Sequence, residues 1–185
     1  MTELSINEDI KLKQLEESDA PDIFTMIDSQ REYMGKWLPF VAETKTVDDS
    51  LAYIRMIAET PESFRELVFC ILYRGKFAGL IGLKFNPADK PNKRTEIGYW
   101  LSENLQKKGI MTLSAKALTD YAFNVLDLNR VAIKCATGNL NSRNVALRLG
   151  FTYEGTERDG ELFPDNHFVN LEVYSMLKKD WKQLK

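Results

Sequence analysis

Thr95-Glu96-Ile97-Gly98-Tyr99-Trp100-Leu101, followed after a short gap by Leu105-Gln106-Lys107-Lys108-Gly109-Ile110-Met111, is where the chain changes its period. The first string is strand-like, and Gly98 within it hints at a bulge or a close backbone approach. Past Gly109 the spacing becomes helical, because Leu113, Ala117, Leu118, Tyr121, Ala122 and Val125 share one face of a helix over about 110–126. A glycine at a strand-to-helix turn lets the backbone approach an anion. The helix's first unpaired N–H groups, with the positive end of its dipole, then attract that anion. Lys107 and Lys108 add local positive charge. The string has neither the G-K-[ST] of a P-loop nor the three glycines of a dinucleotide fingerprint, so nucleotide triphosphates and Rossmann cofactors are not supported.

Upstream, Ile10, Leu12 and Leu15 suggest a short first strand, and Ser18 and Asp19 can cap a helix with Pro21 in its first turn and Ile23, Phe24 and Ile27 on one face. Tyr33 to Glu43 is expected as an aromatic-rich loop. Thr46-Val47-Asp48-Asp49 resembles a capping box, and Val47, Leu51, Ile54 and Ala58 continue at helical spacing to about 59. Leu67 to Tyr73 and Phe77 to Phe85, joined by Arg74-Gly75-Lys76, read as a hairpin, and Asn86 to Lys93 breaks the pattern with two prolines. Downstream, Val131, Ile133 and Cys135 alternate as a strand. Ser142 to Leu149 is a short helix closed by Gly150, and Phe151 and Tyr153 open the next strand. Leu162 to Asn166 is a turn carrying Pro164, and Phe168 to Leu177 is a final β run. With no repeat or linker, residues 1–185 are expected to form one α/β domain with a core of about 10–177. Its twisted mixed sheet would have six to seven strands beside about four helices.

Composition narrows the chemistry. The chain has 185 residues, of which 44% are hydrophobic and 28% charged, as in an ordinary globular domain. Its net charge of −2 supplies no global basic field, so neither nucleic acid nor an anionic membrane is an expected partner. The acidic N-terminus lacks a leader pattern, no stretch approaches the length of a membrane span, and both observations point to the cytoplasm. One histidine, His167, and two unclustered cysteines, Cys70 and Cys135, cannot assemble a His-rich or thiolate metal site, so no metal is expected. No G-x-S-x-G string supports a hydrolytic serine. Both cysteines sit in apolar runs and read as core hydrophobes, which leaves no nucleophile for a covalent acyl-enzyme.

Three strings, in order, carry a resemblance: Glu96-Ile97-Gly98-Tyr99-Trp100-Leu101, then Gln106-x-x-Gly109, then Asn139-Leu140-Asn141-Ser142-Arg143-Asn144-Val145-Ala146-Leu147-Arg148-Leu149-Gly150-Phe151. Together they resemble the GNAT superfamily of N-acetyltransferases over about 10–177. The nearest likeness is to the RimJ/RimL branch, which acetylates N-terminal amines of ribosomal proteins. The resemblance implies acetyl-CoA as co-substrate and a GNAT fold. Backbone amides around Tyr99, Trp100 and Leu101 would meet the oxyanion and the pantetheine. Gln106, Lys107, Lys108, Gly109, Ile110 and Met111 would form the pyrophosphate loop, with Met111 standing where the family usually has a small residue, so that its side chain points into or beside the cofactor path. Asn139 and Asn144 would either hydrogen-bond the pantetheine or fix the β-to-α turn, and Arg143 and Arg148 could reach phosphate.

The reaction's needs distribute the remaining roles. Acetyl transfer from a thioester requires a neutral amine, a stabilised oxyanion and a proton or dipole for the departing thiolate. An α-amine with a pKa near 7.7–8.0 is about a tenth neutral at pH 7, whereas a lysine near 10.4 is neutral only about four times in ten thousand. Glu96 or Glu161, directly or through water, is the expected base. Ser142 is the expected donor to the thiolate, and an N-cap of the following helix explains it equally well. Tyr33, Trp37, Pro39 and Phe40, beside Leu162 and Phe163, are expected to line the acceptor pocket between the first two helices and the last hairpin. A protein N-terminus is the expected acceptor. The alternatives are a small amine, such as a polyamine, an antibiotic or an amino-acid-like metabolite, and a non-catalytic CoA-binding sensor. By analogy with the branch, a homodimer or higher homo-oligomer could form through pairing of the final strand at Val169 to Val173.

Overall fold

The computed structural model describes residues 2–61 and 65–181. In chain order the strands and helices are β1 (Glu3–Ser5), β2 (Ile10–Gln14), α1 (Ala20–Ser29), α2 (Arg31–Gly35), α3 (Val47–Glu59), β3 (Leu67–Tyr73), β4 (Lys76–Lys84), β5 (Arg94–Leu101), α4 (Ile110–Asn124), β6 (Arg130–Ala136), α5 (Leu140–Arg148), β7 (Thr152–Leu162), β8 (Phe168–Leu177) and α6 (Lys178–Trp181). The strands form one sheet in the order β1-β2-β3-β4-β5-β6-β8-β7. Neighbours are antiparallel except β5 and β6, which run parallel. A parallel pair needs a crossover, and the α4 segment supplies it.

Helices cover both faces, and this explains the composition of β3. Phe69 and Ile71 enter the core with Ile81, Leu83, Ile97, Leu118 and Ala122, on the face covered by α4. Val68 and Cys70 enter a second core with Ile23, Ile27, Ile54 and Leu80, under α1 and α3. A strand buried on both faces must be apolar throughout, hence the unbroken Leu67-Val68-Phe69-Cys70-Ile71-Leu72. The start of α3 follows the capping-box expectation, with Thr46 Oγ1 accepting from the Asp49 amide at 3.3 Å and the Asp49 carboxylate accepting from the Thr46 amide at 2.8 Å.

The structure departs from expectation where elements are shorter than a period. Eight strands replace six or seven, because β1 has three residues, too few for alternation to register. The expected loop at Tyr33 to Glu43 contains the end of the five-residue α2 and a 3₁₀ turn at Pro39–Ala42. The expected helix at 142–149 begins at Leu140. Gly98 is no bulge: it faces Gly82 in an unbroken β4–β5 register, and register shifts occur instead between Ile71 and Leu72 in β3 and at two places in the β7–β8 pair. Close backbone approach occurs instead at Gly79, whose φ is +158° and where a Cβ would lie 2.2 Å from the Trp100 carbonyl oxygen. The final strand is not free to pair with another copy, since β8 lies between β6 and β7; the sheet's edges are β1 and β7.

Candidate active site

β5 pairs with β4 through Leu101↔Gly79, but with β6 only over Arg94↔Arg130, Thr95↔Val131 and Glu96↔Ala132. Beyond Glu96 the parallel strands part, so the end of β5 forms one wall of a cleft of about 680 Å³ with α5 opposite. Tyr99 reaches across the gap: its hydroxyl donates to the Ser142 carbonyl at 3.2 Å and lies 2.9 Å from Ser142 Oγ, where either hydroxyl can donate. Burial pushes the Tyr99 phenol above its ordinary pKa, so it stays protonated. The cap of α5 is Asn139, whose Oδ1 accepts from the Ser142 amide at 3.2 Å, and Ser142 is the third residue of the helix, one before Arg143, whose N–H makes the bond to the Asn139 carbonyl. Its hydroxyl is therefore not a cap.

The floor of the cleft is the start of α4. Lys107 (φ 61°) and Gly109 (φ 76°) both take left-handed backbone conformations, and alternation of this kind turns successive N–H groups toward one point. A Cβ on Gly109 would meet nothing within 4 Å, so glycine is needed there for its φ and not for space. The first helical hydrogen bond is Leu113 N–H to the Gly109 carbonyl at 3.0 Å, which leaves the preceding amides at the mouth of the cleft. Lys107 lines the cleft. The Lys108 ammonium instead lies 5.8 Å over the Tyr73 ring, so of the two lysines only Lys107 is at the cradle. Met111 is 8% exposed and packs into the main core beside Ile110, so its bulk forms a wall and does not fill the cradle. Gln106 ties the rim together: its Nε2 donates to the Tyr33 hydroxyl, and its Oε1 accepts from Asn141 Nδ2 at 3.1 Å. Trp37, Leu101, Asn139, Asn144 and Arg148 also line the cleft. A narrow gap between strands, a cradle of free amides and a cationic rim fit a diphosphate joined to a thin polar arm ending in a thioester.

Behind Tyr99 and Trp100 lies a second cavity of about 280 Å³. Its walls are apolar, with Ile23, Ile27, Phe40 and Leu80, and its polar groups are Thr44, Asp49, Ser50, Tyr53, Glu66 and Lys84. The two expected base residues, Glu96 and Glu161, line neither cavity. Glu96 pairs in register with Lys84 and lies 4.0 Å from Lys134 Nζ, which bonds Glu157 at 2.8 Å. Burial pushes the carboxyls of both Glu66 and Glu161 above the ordinary carboxylate range; the Lys84 ammonium pulls each back and the Glu96 charge pushes each further. Such a carboxyl is a better general base than a solvated one.

The acceptor-side aromatics divide between three places. Tyr33 and Trp37 face the cofactor cleft, Phe40 faces the second cavity, and Pro39 shares a shallow groove with buried Phe163 on the β7–β8 hairpin. Leu162 is exposed. Both thiols are buried, and burial raises the Cys135 pKa to about 11 and the Cys70 pKa further still, so neither supplies a thiolate. No group of three or more metal-ligating side chains is found among the described residues. No helix among them is long and apolar enough to cross a membrane. Asn141, Ser50, Tyr53, Glu66 and Lys84 had no local sequence signal as site residues; tertiary packing alone brings them in.

The Acetyltransferase (GNAT) domain family matches residues 9–152. A relative from Bacillus subtilis (strain 168), named putative ribosomal N-acetyltransferase YdaF, is 37% identical over 180 residues, covering 96% of each chain. The ribosomal-protein-serine acetyltransferase of Escherichia coli (strain K12) is 28% identical, covering 89% of this chain and 92% of its own. Among solved structures, the Microcin C7 self immunity acetyltransferase MccE in complex with acetyl-CoA and AMP aligns with a TM-score of 0.83 at 29% identity, covering 93% of this chain and 94% of its own. The match spans most of the chain and coincides with the parted strands and the amide cradle: this protein belongs to the GNAT family of acetyl-CoA-dependent N-acetyltransferases.

Proposed function

We propose that this enzyme transfers the acetyl group directly, in a ternary complex, to the N-terminal α-amine of a protein, a ribosomal protein being the favoured acceptor, in the cytoplasm. The observation that carries this reading is the meeting of two cavities at Tyr99 and Trp100, which both line. A thioester entering from one side and an amine from the other come together there without a covalent relay, in keeping with the two buried thiols. The names of the two relatives favour a ribosomal acceptor.

Each step has a group to serve it. Amides at the end of β5 would hold the oxyanion, a contribution typically of ~10²–10³ in rate. Ser142, polarised by its contact with Tyr99, would donate to the departing thiolate. Glu161, or Glu96 beside it, would take the amine's proton through water. At pH 7 this proton removal costs on the order of 1 kcal/mol for an α-amine, against about 4.6 for a lysine, so a carboxylate suffices. The test is a panel of N-terminal peptides and small amines with acetyl-CoA, read by free-thiol release and product mass. Release restricted to peptides with a free α-amine is expected. Turnover of small amines alone would replace the acceptor, and tight acetyl-CoA uptake with no release would mark a sensor.

A further inference from the structure

The polar end of the second cavity holds more carboxylate than it holds cation. Lys84 ends β4 opposite Glu96, and Glu66 lines the same cavity as Lys84. The carboxyls of Glu66 and Glu161 both respond to the charges of Lys84 and Glu96, so all four groups lie within one electrostatic neighbourhood. Gly98 shows where the lysine goes. A Cβ built there would lie 2.6 Å from Lys84 Cε and 3.2 Å from Nζ, so the lysine tip crosses β5 at the bare backbone immediately before Tyr99. An independent observation marks the cavity as a ligand site: Ser50, 2% exposed, lines it, and its Oγ has no hydrogen-bond partner among the described residues. A buried hydroxyl left unpaired carries a desolvation penalty that a bound polar group would relieve.

We propose that Lys84 is the specificity-determining residue of this cavity: its ammonium occupies, between Glu66 of the cavity wall and Glu96 across the β4–β5 pair, the position that the distal cation of a diamine or polyamine would take. The enzyme is thereby confined to acceptors that bring one amine and no second positive charge to this wall. This inference rests on the reading of the second cavity as the acceptor site. Like charges brought together inside a partly desolvated pocket discriminate strongly between ligands of similar shape, and the chain supplies its own cation for that purpose. Remove the lysine, and Glu66 faces the cavity without the ammonium that shares it, while Glu96 keeps Lys134, 4.0 Å away.

The experiment compares 1,5-diaminopentane with pentylamine, equal in chain length and differing by one ammonium, using wild type, Lys84→Met, Gly98→Ala and the double variant Lys84→Met/Glu66→Gln. The readout is the ratio of kcat/KM for the diamine to that for the monoamine, from thiol release. The ratio should rise about tenfold or more in Lys84→Met and fall back in the double variant. In Gly98→Ala, where the new methyl displaces the lysine tip without removing its charge, a smaller rise in the same direction is expected. A ratio unchanged within about twofold in Lys84→Met, with acetyl-CoA binding intact by calorimetry, overturns the proposal. If neither amine is turned over, calorimetric titration of diamine and monoamine into the CoA complexes gives the same ratio as affinities, and an equal ratio in variant and wild type is again fatal. Peptide turnover by the wild type tests the acceptor assignment separately, so the two can fail independently.

Discussion

The two cavities that meet at Trp100 are built from different materials. The cofactor cleft uses main chain: the parted edge of β5, the amides at the start of α4 and a left-handed Gly109. The second cavity, proposed above as the acceptor site, uses side chains that arrive from α1, α3, the segment before β3, and β4, with Ser50, Glu66 and Lys84 each on a different element. Main-chain recognition tolerates side-chain change and suits a ligand common to a whole family. Side-chain recognition changes with single substitutions and suits a ligand that varies between members. The difference teaches that the two sites should respond separately to mutation, and four measurements probe that separation.

The largest effect should come at the wall both cavities share. Gly79→Ala places a methyl 2.2 Å from the Trp100 carbonyl oxygen, and backbone cannot move aside as a flexible side chain can. A loss of about 3 kcal/mol or more in urea unfolding is expected, with both ligands affected. Stability like that of the wild type would show the wall to be pliable and the two sites not rigidly partitioned.

Gly109→Val acts on the cleft alone. A branched residue at φ 76° is strained by roughly 1–2 kcal/mol, and relief of that strain would swing the α4 amides off the phosphates. Acetyl-CoA affinity should fall about tenfold by calorimetry while the acceptor KM stays within about twofold. An equal fall for both ligands would refute the independence of the cradle.

On the acceptor side, Glu161→Gln should lower kcat/KM about tenfold near neutral pH. The sign follows from the raised pKa of Glu161: the base works only when ionised, so wild-type activity climbs as pH rises through that value and continues to climb as the α-amine itself loses its proton. The variant's deficit should therefore shrink above about pH 8, where the amine is neutral unaided. Wild-type rates and wild-type pH profiles in both Glu161→Gln and Glu96→Gln would remove both from the mechanism.

The smallest effect distinguishes cap from donor at the junction. Because Asn139 caps α5, Ser142→Ala should change stability by less than about 0.5 kcal/mol while lowering kcat, whereas Asn139→Ala should cost about 1 kcal/mol. A Ser142→Ala protein with full turnover would leave the thiolate to Tyr99.

Local signals were readable where a short stretch completes its own interaction. The reciprocal bonds of Thr46 and Asp49 close within one helical turn, and the glycine before α4 sits beside the amides it frees. Ser142 misleads as a cap because Asn139, three residues earlier, has the same capping chemistry, and only the geometry of the turn selects between them. Lys107 and Lys108 are adjacent and equally charged, yet Tyr73 from β3 draws one of them off the cradle. Three-residue β1 and five-residue α2 fall below the length at which a periodic pattern exists to be seen.

The amino-acid sequence alone settled the alternation of strands and helices, the apolar run that becomes β3, the strand-to-helix turn at Gly109 and the short helix closed by Gly150, since each depends on neighbours within a few residues. Tertiary structure decided that β5 and β6 part after Glu96, that Lys84 crosses the backbone at Gly98, and that Ser50 and Glu66 share a cavity with Trp100. Those outcomes depend on which face of one element packs against another, and burial energy, being non-directional, writes no short-range pattern for such choices into the chain.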